Sequence, residues 1–221
     1  MSSTTLFRFS RIVLLLGAVI SAIDEIALVL VFPNSGPGLP MSAPTNALWG
    51  PIWITGFIAT LLVLFGLPGL YLGQASRAGV AGFIGIVLTT LGLLLSMIAA
   101  PIFFITTLPY LATHAPGAFN NAFDAGIEPF GLGGTVLLLL GLLLLGIATI
   151  RAAVFPRLAG ILMLVGGIFT PALILGDTLI VSLLGAVGLG LVMVSFAWIG
   201  LRLTSPVESV EMSRPLTETV R

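Results

Sequence analysis

Residues 131–150 read GLGGTVLLLLGLLLLGIATI, residues 151–157 read RAAVFPR, and residues 158–176 read LAGILMLVGGIFTPALILG. Each outer piece is an uncharged apolar run. Roughly 20 such residues cross about 30 Å of hydrocarbon as a helix. The piece between them carries Arg151 and Arg157 and is too short for anything but a tight return. The stretch therefore predicts two antiparallel membrane helices with arginines on one side of the bilayer.

Working outward, the same pattern recurs. Apolar runs lie at about 12–32, 49–73, 79–108, 131–150, 158–176 and 179–203. All eight basic residues are arginines. Arg8 and Arg11 precede the first run, Arg77 lies between the second and third, and Arg202, Arg214 and Arg221 close the chain. The alternate connections hold no Arg. Cytoplasmic loops concentrate positive charge, so this asymmetry predicts six spans in three hairpins with both termini in the cytoplasm. The expected fold class is all-α: a polytopic transmembrane helical bundle over 1–203, followed by a disordered cytoplasmic tail over 204–221. Trp49, Trp53, Tyr110 and Phe130 at one set of run ends, and Tyr71, Phe155 and Trp198 at the other, suit interfacial belts.

Composition agrees and narrows function. The 221-residue chain is 58% hydrophobic and 7% charged, with mean hydropathy +1.23. A soluble domain has about a quarter of its residues charged. Net charge is zero, so nothing favours nucleic acid. With no cysteine and one histidine, disulfides, thiolate metal sites, iron–sulfur clusters and bis-histidine haem are excluded, and no cofactor is expected. Arginine without lysine points to a GC-rich, bacterial genome, and hence to an inner-membrane location. Arg8 and Arg11 before an apolar run also fit a cleaved leader. Against that, the run resumes at Ile26 and continues to Phe32.

The connections on the arginine-free side differ from one another. Residues 33–48 are rich in Pro, Gly, Ser and Asn and read as irregular. Residues 109–129 place Phe119, Phe123 and Ile127 at four-residue spacing, opposite Asn120, Asn121, Asp124 and Glu128. That pattern predicts a short amphipathic helix lying on or capping the outer face. The last such connection is a tight turn at Gly176-Asp177.

The chemical anomaly is Asp24-Glu25, inside the first run. A carboxylate at that depth costs roughly 2.5–3.5 kcal/mol on insertion scales. Each Leu, Ile, Phe or Val returns only about 0.3–0.6 kcal/mol. No basic residue is available on that half to pair with them, so double ionisation is not expected. Asp24 shares a helix face with Gly17, Ser21 and Leu28, and Glu25 with Ala18, Ser21 and Ala22. This small, polar stripe is the expected helix contact. The acids read in two ways: as a proton-carrying or ligand-binding site, or as neutral groups bonded to backbone carbonyls or to hydroxyls of a neighbouring helix such as Thr55, Thr60, Ser96 or Thr170.

Other candidates are weaker. Pro68, Pro101 and the pair Thr170-Pro171 interrupt runs and read as kinks, or as helix breaks of the kind that build substrate sites. His114, Asp124, Glu128 and Asp177 are polar residues of the outer face. Asp177 is expected to cap the last helix, and no ligand spacing marks the set as a metal site. Gly69-x-x-x-Gly73 and Ala186-x-x-x-Gly190 read as contact faces within the monomer. Phosphate loops, His-Glu-x-x-His and Gly-x-Ser-x-Gly are missing from the sequence, so catalysis is not expected.

Three stretches, Leu64-Phe65-Gly66-Leu67-Pro68-Gly69-Leu70-Tyr71, Pro156-Arg157-Leu158-Ala159-Gly160 and Trp198-Ile199-Gly200-Leu201-Arg202-Leu203, together resemble small six-span bacterial integral membrane proteins grouped as a domain of unknown function. The resemblance implies an all-helical six-span fold and carries over no activity and no site residue. The expected function is non-enzymatic: binding or sensing a small apolar molecule in the bilayer, or scaffolding a membrane-protein partner. The alternative is a small transporter or proton-coupled permease working through Asp24 and Glu25.

Overall fold

The chain turns back on itself at one residue, Gly79. Its backbone angles, φ +60° and ψ −161°, lie in a region open almost only to glycine. Around it the computed structural model is helical nearly throughout. It describes residues 3–33, 39–175 and 178–203, with the side chains of 3, 120–129, 174 and 175 outside that set. The elements are α1 (Ser3–Val31), α2 (Trp49–Leu94), a π-helical turn (Leu95–Ala99), α3 (Ala100–His114), a 3-10 turn (Pro116–Ala118), α4 (Phe119–Ala152), α5 (Arg157–Phe169), α6 (Ala172–Leu175) and α7 (Leu179–Arg202).

No strand occurs among the described residues, and four helical stretches are long and apolar enough to cross a membrane. The longest is Trp49–His114, 66 residues. Laid straight it would run about 100 Å, three times the hydrocarbon thickness. It is not straight. The indole Nε1 of Trp49 donates to the carbonyl of Phe104 at 2.8 Å, although 55 residues separate them. Tyr71 and Phe83, either side of Gly79, touch at 5.9 Å between ring centroids. α2 is therefore two antiparallel arms, residues 49–78 and 80–94.

Several expected boundaries need correction. Residues 74–78, expected as the turn, are helical, because a glycine at positive φ reverses the chain without a longer loop. In the third run Pro101 follows a π-helical turn. Proline has no N–H and clashes with the carbonyl four residues back. The turn before it widens, with Ala100 N–H donating to Leu95 O. The expected connection 109–129 shrinks to the few residues between α3 and α4. The amphipathic segment is helical, but as the first turns of α4 rather than a separate cap. The fifth run is not one helix: α5 stops at Phe169, and Thr170-Pro171 form a turn before α6. Its 13 residues rise about 20 Å. The tail 204–221 and the Gly176-Asp177 turn lie outside the described residues.

Glycines set the packing, because they let backbones meet. Along α2 and α4, Gly82 faces Ala148, Gly85 faces Leu145, Thr89 faces Gly141, Gly92 faces Leu138 and Ser96 faces Gly134. Each step forward on one helix matches an equal step back on the other, so the pair is antiparallel and in strict register. The same holds for α1 against the first arm of α2: Ser10 faces Gly69, Leu14 faces Gly66, Gly17 faces Val63 and Asp24 faces Gly56. α5 packs antiparallel on α4, through Gly160 with Ile150 and Gly167 with Leu142. It packs likewise on α7, through Gly166 with Val192 and Gly188 with Thr170. α7 returns to α1, closing a ring. On α7 the close contacts are made by Gly185 and Gly188. Gly190, one end of the expected Ala186–Gly190 face, meets nothing within 4 Å.

Candidate intramembrane acid site

α1 presents one buried stripe: Ser10, Leu14, Ala18, Ser21 and Leu28 are buried along it. A bulkier residue at Gly17 would strike the backbone of Ala59 and Val63, so this helix comes very close to α2 there. That close approach carries Asp24 and Glu25, about one helical turn beyond Ser21, into the same interface. Both are partly buried. Along α1 they lie about 20 Å from Arg11, in the half of the bundle remote from the arginines.

Asp24 rests its carboxylate on Gly56: an added Cβ there would come within 2.5 Å of Oδ2. Oε1 of Glu25 is buried and has no hydrogen-bond partner among the described residues. Three of the four hydroxyls named for the acids donate within their own helices. Thr55 donates to Pro51 O, Ser96 to Gly92 O and Thr170 to Gly166 O, each on its own helix four residues back. Oε1 of Glu25 is thus without a partner among the described residues, while these three hydroxyls donate within their own helices.

An aromatic cluster lies further along the same end of the bundle. Trp53 stacks on Phe104 with centroids 4.2 Å apart and planes 3° from parallel. Trp49 touches Phe32, Trp53 and Phe104. The register of α1 against α2 sets Trp53 level with the turn that follows Asp24 and Glu25. Its Nε1, like Oε1 of Glu25, is buried without a partner. The register thus places an unpaired acceptor on α1 and an unpaired donor on α2 at about the same height along the bundle.

The remaining candidates do not join this site. Pro68 sits inside a continuous arm of α2. Thr170 gives both its N–H and its hydroxyl to Gly166 O at the α5 break. His114 is exposed, stacked on Tyr110 at 4.5 Å, with Nδ1 2.7 Å from the Thr113 hydroxyl. Asp124 and Glu128 lie on α4 with side chains outside the described set. Asp177 lies outside the described residues, and the residue at the N-cap of α7 is Thr178. Among the described residues no three His, Asp or Glu side chains gather as metal ligands would.

Two features escaped the sequence reading. A groove of about 280 Å³ lies between the π turn, α3 and α4, lined by Ala99, Phe103, Thr106, Thr107 and Phe130 among others. Gln74, assigned to a turn, is a fully buried helix residue whose amide nitrogen and oxygen both lack partners. Its place four residues after Leu70 and four before Ala78 was the available signal.

No family model, no curated protein and no solved structure matches this chain.

Proposed function

We propose that this chain is a six-span, non-enzymatic membrane protein with both ends on the arginine-bearing, cytoplasmic side, and that it binds a small amphipathic molecule at Asp24, Glu25 and Trp53. The break at Gly79 and the joint reading of α5 with α6 supply the spans beyond the four long helical stretches. The observation that carries the binding reading is the buried, unpartnered Oε1 of Glu25. A buried acceptor left unmade costs about 1–3 kcal/mol, which a fold retains where something else uses the group. The guest fitting this chemistry has a hydrogen-bonding head for Glu25 and Trp53 and an apolar body for the surrounding rings. The resemblance carried by 64–71, 156–160 and 198–203 is, on this reading, one of architecture.

A proton-coupled permease is the second reading, favoured by the π turn and the broken α5, where helix geometry can shift. Native mass spectrometry of the protein in mild detergent tests the first reading. A bound small molecule should be present on the wild type and missing from the Asp24→Asn, Glu25→Gln double variant. Equal adducts on both, or none on either, would reject the ligand reading. Proton flux into proteoliposomes then becomes the test of the second.

A further inference from the structure

Arg77 lies before the α2 reversal, Arg151 and Arg157 bracket the α4–α5 turn, and all three arrive at one level of the fold. Following the α2–α4 register outward from Gly82 and Ala148 brings the Gly79 reversal opposite Arg151, with Arg77 two residues before it. Following the α4–α5 register outward from Ile150 and Gly160 brings Arg157 to the same level. All three are exposed. The acids among the described residues lie far away: Asp24 and Glu25 well along α1 from Arg11, and Asp124 and Glu128 more than twenty residues before Arg151 on the same helix. The cluster is therefore not neutralised by any described acid.

The surface beside it is apolar. One step further into the bundle, Val80 is 74% exposed, Phe83 52% and Leu158 50%. A level of cations with exposed hydrocarbon directly behind it has the polarity profile of a phospholipid: phosphate at the arginines, acyl chains along Val80, Phe83 and Leu158. Free phosphate would use only the first part. We infer that Arg77, Arg151 and Arg157 form a binding site for the phosphate headgroup of an anionic phospholipid, which bridges the α2 reversal to the α4–α5 turn. Arginine suits this role because its planar fork makes paired bonds to phosphate oxygens. The inference rests on the membrane reading above, which sets this end of the bundle at headgroup depth.

The test uses the full chain in a neutral detergent. Phosphatidylglycerol, phosphatidylcholine and inorganic phosphate are added separately, and thermal unfolding and native-mass adducts are read. Phosphatidylglycerol should raise the melting temperature and stay bound, with affinity at least about tenfold weaker in the triple variant Arg77→Gln, Arg151→Gln, Arg157→Gln. That variant's melting temperature in phosphatidylcholine shows whether it is folded; if it is not, the three single variants carry the comparison. Equal stabilisation by phosphatidylcholine, an equal effect of inorganic phosphate alone, or undiminished binding by the folded variants would each overturn the site. So would binding that appears only when Glu208, Glu211 and Glu218 are changed to Gln, since the chain's own tail would then hold the arginines. Reagent access to an Ala153→Cys variant in vesicles separates the two readings. Outward labelling with intact lipid selectivity would sink the topology and leave the site standing.

Discussion

Asp24 lays its carboxylate across Gly56, in the space a Cβ at that position would take. The contact joins the one acid-bearing turn of α1 to the one glycine of α2 that faces it. Where Gly69 and Gly141 admit hydroxyls and other glycines admit backbone or apolar atoms, this one admits a carboxyl group. Gly56→Ala should therefore displace the carboxylate and little else, since no other residue's atoms lie within 4 Å of the added carbon. The expected result is a melting temperature within a few degrees of wild type, with the bound molecule lost in native mass spectrometry. A large drop in melting temperature with the adduct retained would show that Asp24 is a packing element.

The glycine register makes a paired prediction. Gly92→Ala pushes its new carbon into the backbone of Leu138. Overpacking of this kind costs about 1–3 kcal/mol. Gly190→Ala, on α7, meets open space and should be neutral or gain up to about 1 kcal/mol of helix propensity. Thermal unfolding of the two variants side by side checks the ordering.

Much of this architecture was legible from hydropathy and charge. The apolar runs and the grouping of arginines are bulk properties, and helices do form over each run. What hydropathy could not give was where one residue overrides a pattern. Gln74 to Ala78 looked like a turn because it holds polar residues and Arg77, yet Gly79 alone makes the reversal and leaves Gln74 buried. Pro101 read as a kink, and the π turn just upstream of it had no signal in hydropathy. Asp24 and Glu25 were conspicuous from their cost in lipid. Their surroundings were not, because whether Ser96 or Thr170 bonds an acid or its own helix depends on local geometry. Trp53 was read as an interfacial ring, and its buried, unpaired N–H becomes visible only in three dimensions.

Gly79 itself gives the third prediction. An alanine there would have to adopt φ +60° with an extended ψ, a conformation costing about 1–3 kcal/mol. No atom crowds the position, so the loss would be conformational alone. Gly79→Ala should lower the melting temperature. An unchanged value would mean that the reversal does not need the conformation described.

The two tryptophans of the aromatic cluster should behave oppositely. Trp49→Phe keeps a ring but deletes the N–H that reaches Phe104 O across the α2 reversal, removing about 0.5–1.5 kcal/mol. Trp53→Phe keeps the stacking on Phe104 and deletes an N–H without a partner, so it should melt at or above wild type. Equal destabilisation by both would mean that ring volume, not the hydrogen bond, ties the arms together.

The fold carries Glu25 with Oε1 buried and unpartnered. The direct measurement is thermal unfolding in detergent of Glu25→Met against wild type. Methionine fills a similar volume and removes the unpartnered carboxyl, so the variant should melt higher, by the equivalent of about 1–3 kcal/mol. A variant that melts several degrees lower would instead make Glu25 part of what holds α1 in place.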